Sequence, residues 1–126
     1  MVKLLQQPAG MGGVVEQGSS TNGEYVCFAD GTMIAWHEMS LNLAVTLSLG
    51  SWYRCGGGAV TWNYPKSFAA RPVTTVSTEF NGLVDIFEIP AMSSLCDNTK
   101  YAPMFASPTS QTKAVTIRFL AVGRWK

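Results

Sequence analysis

The chain has 126 residues, of which 47% are apolar and only 13% are charged. This length fits one domain with its own core, and the shortage of charge favours an oligomer, because most monomers need more charged surface. The net charge of +1 without basic clusters excludes the usual electrostatic footprint of a nucleic-acid-binding protein, and we expect neither membrane insertion nor a secretory signal.

The first stretch, residues 1–21, is rich in glycine and small polar residues and shows little periodicity. This composition is typical of a leader or linker, and the sequence therefore predicts a folded domain over residues 22–126. The apolar residues of the stretch leave a strand as an alternative.

Residues 22–37, NGEYVCFADGTMIAWH, predict a β-hairpin. Two short runs of aromatic and β-branched residues flank Asp30 and Gly31. Asp-Gly is a strong hairpin signal, because Gly adopts positive φ without a Cβ clash and the Asp carboxylate bonds to nearby backbone N–H groups.

An alternating stretch follows over residues 38–49. Its odd positions are apolar and most of its even positions are polar, which predicts a half-buried strand or a strand that continues through a bend. The apolar members are Met39, Leu41, Leu43, Val45, Leu47 and Leu49. Residues 50–58 then form a predicted glycine-rich loop that carries two aromatic residues and an arginine.

The rest of the chain predicts short strands separated by turns. Asn81 and Gly82 predict a type I′ turn, and residues 92–101 predict an irregular polar loop. The predicted strands lie at 59–62, 72–80, 83–89, 104–106 and 114–122. About seven or eight short strands without a helical period indicate an all-β fold, an antiparallel β-sandwich.

The residues offer no catalytic motif. The acids show no spacing that fixes a carboxylate pair, the glycine run lacks the Lys-Ser/Thr of a phosphate-binding loop, and no triad motif surrounds His37, the single histidine. We therefore expect no enzyme and no cofactor. His37 is interpreted as a polar strand position, with a metal site on a threefold axis as the alternative.

The cysteines, at positions 27, 55 and 96, are widely spaced and odd in number. This pattern fits neither a CxxC metal clip nor a complete disulfide framework. The sequence predicts reduced thiols at Cys27, Cys55 and Cys96.

Three stretches resemble the C-terminal domains of bacteriophage tail fibres and tail spikes. Residues 23–36, GEYVCFADGTMIAW, resemble the opening of these domains, residues 60–68, VTWNYPKSF, with the following Pro72 and Val73, resemble a central segment, and residues 121–125, AVGRW, resemble the end. The resemblance implies a homotrimeric β-sandwich at a fibre tip, related to H-type lectins. It also implies that residues 1–21 connect the tip to the fibre shaft.

A tip domain of this kind is expected to bind a host-surface receptor, most simply a glycan. Sugars stack on aromatic rings and bond to acids, amides and cations, and binding sites are commonly carried on loops. Two predicted loops supply this chemistry, with candidate residues Trp52, Tyr53, Arg54, Asp97, Asn98, Lys100 and Tyr101. The alternative is that the aromatic residues pack between subunits and the polar residues are only solvated.

Other aromatic residues lie in the stretches that carry the resemblance. We interpret them as core or trimer-interface residues, namely Trp36, Trp62, Tyr64, Phe68 and Trp125. The expected partners are a host-surface glycan, two further copies of the chain and the rest of the tail fibre, in a virion assembled in the host cytoplasm. The alternative function is a trimerisation module that contacts no receptor.

Overall fold

The computed structural model describes residues 13–126, in which eleven strands form three antiparallel sheets. In chain order the strands are β1 (Val14–Ser20), β2 (Gly23–Phe28), β3 (Thr32–Val45), β4 (Leu47–Leu49), β5 (Trp52–Arg54), β6 (Trp62–Asn63), β7 (Val73–Phe80), β8 (Phe87–Ile89), β9 (Lys100–Tyr101), β10 (Met104–Ser107) and β11 (Gln111–Arg124). The predicted all-β, antiparallel class is confirmed.

A five-stranded sheet in the order β1-β2-β3-β11-β7 forms one layer. Its two longest members, β3 and β11, pair over all fourteen residues, from Thr32 opposite Arg124 to Val45 opposite Gln111. The second layer is a four-stranded sheet in the order β4-β5-β10-β8, and β6 pairs with β9 in a small third sheet.

The core lies between the layers, because alternate residues of β3 and β11 point inward. Trp62, at 1% exposure, lies at its centre and meets Tyr64 edge-on at 4.9 Å and Phe119 at 5.1 Å. The indole N–H of Trp62 donates to the Asn22 carbonyl at 2.7 Å, so the buried ring also holds the start of the hairpin.

The predicted hairpin is confirmed as β2 and β3. Gly31 has φ of +98°, its N–H donates to the Phe28 carbonyl at 3.0 Å, and the Asp30 carboxylate accepts from the Thr32 N–H at 2.9 Å. The bond from Thr32 lowers the pKa of Asp30.

The predicted domain boundary between residues 21 and 22 needs correction. Val14–Ser20 forms β1, which pairs with β2 from Val14 opposite Phe28 to Ser20 opposite Gly23. The sheet therefore begins at Val14, because that segment satisfies the backbone groups along the outer edge of β2. The remainder of the predicted linker, residues 1–12, lies outside the described residues.

The alternating stretch 38–49 bends, as one of its two interpretations anticipated. β3 ends at Val45 and β4 begins at Leu47, so the chain passes from the first sheet to the second at Thr46. The alternation places Leu47 and Leu49 with the inward residues, but both are exposed after this crossing.

The predicted type I′ turn at Asn81 and Gly82 is wrong. A type I′ turn needs positive φ at both central residues, and among residues 13–126 only glycines have positive φ, Gly82 included. The predicted strand 83–89 shortens to β8, because residues 81–86 cross from β7 in one sheet to β8 in the other.

The cysteines Cys27, Cys55 and Cys96 are buried and free, as predicted. Burial raises the pKa of the Cys27 thiol. Among residues 13–126 no helix is long and apolar enough to cross a membrane.

Candidate functional site

The first candidate set, Trp52, Tyr53 and Arg54, forms β5 and is not a loop. The chain reaches β5 through a tight turn in which Gly50 has φ of +60°, a conformation that glycine adopts without strain. Successive side chains of a strand alternate between faces. Trp52 and Arg54 therefore share the outer face of the four-stranded sheet, and Tyr53 packs against the core.

A second aromatic ring, that of Phe87 in β8, joins Trp52 on this face. The two ring centroids lie 6.2 Å apart at an interplanar angle of 48°. β5 and β8 flank β10 on its two sides, and Ala106 of β10 is opposite both Phe87 and Arg54. The small alanine side chain leaves room for the two large rings to meet across the middle strand.

Both rings remain open to solvent, with exposures of 40% for Trp52 and 54% for Phe87. Leu47 and Leu49 extend the same face, because they are opposite Arg54 and Trp52 in the pairing of β4 with β5. We call this surface the aromatic platform, defined as Leu47, Leu49, Trp52, Arg54 and Phe87.

The platform combines two kinds of recognition chemistry. Exposed aromatic faces stack on the apolar side of a sugar ring, and a guanidinium donates several hydrogen bonds in a fixed planar array. The Arg54 Nη1 donates to the Cys55 carbonyl at 3.0 Å, which orients the group while other donors of the guanidinium remain.

The second candidate set uses its polar groups within the protein. The Asp97 carboxylate accepts from the Thr99 N–H and hydroxyl, both at 2.7 Å, and from the Lys100 N–H at 3.1 Å. These bonds, led by that from the Thr99 hydroxyl, lower the pKa of Asp97. The Asn98 side chain donates to the Phe68 carbonyl at 3.1 Å. The chemistry of Asp97 and Asn98 therefore serves to shape this loop.

Lys100 and Tyr101 form β9, opposite Asn63 and Trp62 of β6. Burial raises the pKa of Tyr101, whose ring lines a depression of about 210 Å³ together with Arg71 and Ser93. Within residues 13–126 no hydrogen bond or aromatic contact joins this set to β5. Within the described residues the two candidate sets therefore share no direct bond.

The residues predicted for the core or an interface divide into two groups. Trp62, Tyr64 and Phe68 are buried, and the Tyr64 hydroxyl meets that of Thr74 at 3.0 Å. Trp36 is exposed on the outer face of the five-stranded sheet.

Trp125 is half-buried at the end of the chain. Its indole donates to the Phe28 carbonyl at 2.7 Å, and its backbone N–H donates to the Gly31 carbonyl at 2.9 Å. The last residues are therefore docked on the hairpin.

His37 is half-buried on β3 and stacks on Trp62, with ring centroids 6.3 Å apart and planes 14° apart. Burial lowers the pKa of His37, which keeps the imidazole ring neutral over a wider pH range. Across residues 13–126 no group of three His, Cys, Asp or Glu side chains is placed to hold a metal ion.

Three platform residues, Leu47, Leu49 and Phe87, were not among the predicted binding candidates. Phe87 is the aromatic member of these three. It lies far from Trp52 in the chain, and only the pairing of β5, β10 and β8 brings them together. The available signal was weak: Phe87 is a large aromatic residue, flanked by Ile86 and Glu88, within the predicted strand 83–89.

Comparisons with known proteins identify the fold. No protein-family model matches the chain, and no curated protein sequence does. A solved C-terminal fragment of the P. aeruginosa R1 pyocin fibre is similar, with a TM-score of 0.55 and 13% identity, over 86% of this chain and 28% of that one. An N-truncated R1-type pyocin tail fibre gives a TM-score of 0.54 and 12% identity, over 86% of each chain.

The chain therefore spans less than a third of the pyocin fibre fragment and most of the truncated fibre. At this identity the likeness concerns the fold. The chain adopts an all-β, antiparallel fold that also occurs in the R1 pyocin tail fibre.

Proposed function

We propose that the chain is a domain of a phage-type tail fibre that attaches the virion to a host-surface glycan. Two observations support the fibre assignment: the fold likeness to pyocin tail fibres and the three sequence stretches that resemble tail-fibre tip domains. Assembly in the host cytoplasm agrees with three buried, free thiols. The relation to H-type lectins stays a prediction.

The aromatic platform carries the receptor-binding part of the proposal. Two adjacent exposed rings next to a guanidinium match the chemistry of a sugar, which has an apolar face and a rim of hydroxyls. Tyr101 and Arg71, which line the depression of about 210 Å³, supply a second contact for the glycan.

Binding without catalysis is the mode that the carboxylates support. Glu38 and Glu79 both pair with Arg118, at 2.9 Å and 2.8 Å. Asp85 and Asp97 accept hydrogen bonds from neighbouring hydroxyl and backbone groups. A glycosidase needs one carboxylic acid with a raised pKa next to a free carboxylate. Burial raises the pKa of Glu88, whereas hydrogen bonds lower the pKa of Asp85 and of Asp97, and Arg118 engages the two glutamates.

A homotrimer is part of the proposal, because a single shallow platform of this kind binds a sugar weakly. Three platforms on one rigid particle raise the effective concentration of each site for a surface that displays many glycans. The low charge content of the chain also favours buried subunit contacts.

The alternative function is a trimerisation module that contacts no receptor. A specific observation favours it: Trp125 is bonded to the hairpin through its indole and its backbone N–H, so this aromatic residue serves the fold and not a receptor contact. Both functions require self-association, and they differ only in the role of the aromatic platform.

Binding of purified protein to a panel of bacterial surface polysaccharides and to whole cells tests the proposal. We expect Trp52→Ala and Phe87→Ala each to weaken binding about tenfold per site, because loss of one stacking ring costs about 1.4 kcal/mol. The matched control is Leu83→Ala, which truncates an exposed apolar side chain that is not part of the platform.

The outcomes separate the two functions. Glycan attachment is supported if both platform variants lose binding but keep the parental mass in light scattering, and if Leu83→Ala binds like the parental chain. Parental binding by Trp52→Ala and Phe87→Ala contradicts the platform as the site of attachment. A trimeric parental chain that binds neither cells nor polysaccharide favours the trimerisation module.

A further inference from the structure

The outer face of the five-stranded sheet carries a contiguous row of apolar residues. Because paired residues of neighbouring strands point to the same face, Val26, Ile34, Val122 and Val73 line up across β2, β3, β11 and β7. In the next row Trp36 is opposite Leu120. We call these six residues the aliphatic patch.

Four of the six patch residues are exposed, and Val26 and Ile34 are half-buried. Val73 is 73% exposed and Leu120 is 45% exposed, and Trp36 and Val122 are also exposed. The second layer covers the opposite face of this sheet, where the core residues lie. Monomeric proteins rarely expose a contiguous apolar patch of more than a few hundred Å², so a surface of this composition calls for a partner.

The whole face has the dimensions of a stable interface. From the spacing between strands, the five strands span roughly 20 Å. From the rise per residue, the fourteen residues of β3 extend roughly 45 Å. The face can therefore cover roughly 800 Å² per copy, which is the area that each partner of a standard interface buries.

Polar groups border the patch at the other end of the face. Arg118 bonds to Glu38 at 2.9 Å and to Glu79 at 2.8 Å, and the Ser40 and Thr116 hydroxyls meet at 3.1 Å. These groups satisfy one another within one copy. An apolar centre with a polar border is the usual anatomy of a protein interface.

We propose that this face is where copies of the chain pack together, with the aliphatic patches directed toward a common axis. The inference rests on the proposed homotrimer and adds the surface that forms it. Five of the six patch residues are aliphatic and offer neither stacking nor hydrogen bonds to a sugar, whereas another copy presents the same apolar rows at equal concentration. In a sandwich the aromatic platform faces the opposite direction, so this packing leaves it free.

The inference is tested by measuring the light-scattering mass of the full chain with and without the substitution Leu120→Lys. A lysine at this exposed position places like charges from each copy near the axis, and we expect the mass to fall from about three times to one times 13.6 kDa. The matched control is Leu49→Lys, because Leu49 is 44% exposed on the outer face of the other sheet. We expect this variant to keep the parental mass.

Val73→Lys provides a second variant, because Val73 lies on the edge strand β7 and is even more exposed. Parental mass in both patch variants, or dissociation by Leu49→Lys, overturns the inference. A parental chain that is itself a monomer overturns it as well, and glycan binding by that monomer would still support the receptor-binding part of the proposed function.

Discussion

At the scale of single residues, Asp85 shows how one carboxylate fixes a crossing between sheets. It accepts from the Ser107 hydroxyl at 3.2 Å, from the Thr109 hydroxyl at 2.8 Å and from the Gln111 amide. The segment that leads from β7 to β8 is thereby held to the turn between β10 and β11. These bonds, led by that from Gln111, lower the pKa of Asp85.

This lowered pKa predicts an acid-dependent contribution to stability. A carboxylate whose pKa is lower in the folded state stabilises the fold above its unfolded pKa of about 3.9, and the contribution is lost as the pH falls through the folded pKa. We expect Asp85→Asn to lower the urea midpoint of unfolding at pH 7. Below about pH 4 we expect this midpoint to fall less steeply with decreasing pH than it does in the parental chain.

The control for this measurement is Glu79→Gln, on the exposed face near Arg118. Its carboxylate is solvated, and exposed ion pairs contribute little, so the midpoint at pH 7 should stay near the parental value. A decline below pH 4 that is equally steep in Asp85→Asn and in the parental chain would contradict the assigned role of Asp85.

At the scale of the strand, a side-chain hydrogen bond holds β1 to β2. The Tyr25 hydroxyl of β2 donates to the Glu16 carboxylate of β1 at 2.6 Å, and Lys66 approaches the same carboxylate at 3.5 Å. The Tyr25 ring lies against Gly18, where an added Cβ would approach it to 2.8 Å. The close fit explains why glycine occupies the middle of this edge strand.

The bond to Glu16 raises the pKa of Tyr25 to about 12. A group whose pKa is higher in the folded state contributes stability that is present below its unfolded pKa, about 10 for tyrosine, and is lost as the pH rises to the folded pKa. We expect an ultraviolet titration of tyrosinate to show a component near pH 12 that disappears in Tyr25→Phe.

Glu16→Gln tests the cause of that shift. With the carboxylate removed, the Tyr25 component should move toward pH 10 while the other tyrosines titrate as before. A Tyr25 component that already titrates near pH 10 in the parental chain would show that β1 is not held by this bond.

The strands also show how far the sequence could predict the fold. Alternation over residues 38–49 identified the second half of β3 and its inward side, because burial of one face demands that period. The same alternation could not show that Leu47 and Leu49 leave the core, since a bend at Thr46 changes the sheet without interrupting the pattern. Asn81 and Gly82 gave a hairpin signal at a place where the chain instead crosses between layers.

The candidate site was predictable in part for the same reason. Trp52 and Arg54 stood out by residue type, and their position on one face follows from β5 once that strand is known. Phe87 depends on the pairing of three strands that are distant in sequence, which no local pattern encodes. Asp97 and Asn98 carry suitable chemistry, but local hydrogen bonds engage it.

At the scale of the whole molecule, the two layers present outer faces of different chemistry. The five-stranded layer shows aliphatic side chains and one tryptophan in rows, and the four-stranded layer shows two adjacent aromatic rings, two leucines and an arginine. The outer faces of a sandwich point in opposite directions. Self-association through the first face would direct several copies of the second outward, toward a cell surface.

This arrangement predicts that assembly and sugar recognition can be separated by substitution. Leu120→Lys should leave the affinity for a free oligosaccharide unchanged, because the platform is intact, and should weaken adsorption to a glycan-coated surface about 10²- to 10⁴-fold through lost multivalency. Trp52→Ala should keep the parental mass and weaken both kinds of binding. Surface plasmon resonance on immobilised polysaccharide measures the adsorption to a surface. Calorimetry measures the affinity for the free oligosaccharide. Undiminished surface adsorption by a monomeric Leu120→Lys chain would contradict the role of multivalency, whereas adsorption unaffected by either substitution would assign the platform no part in attachment.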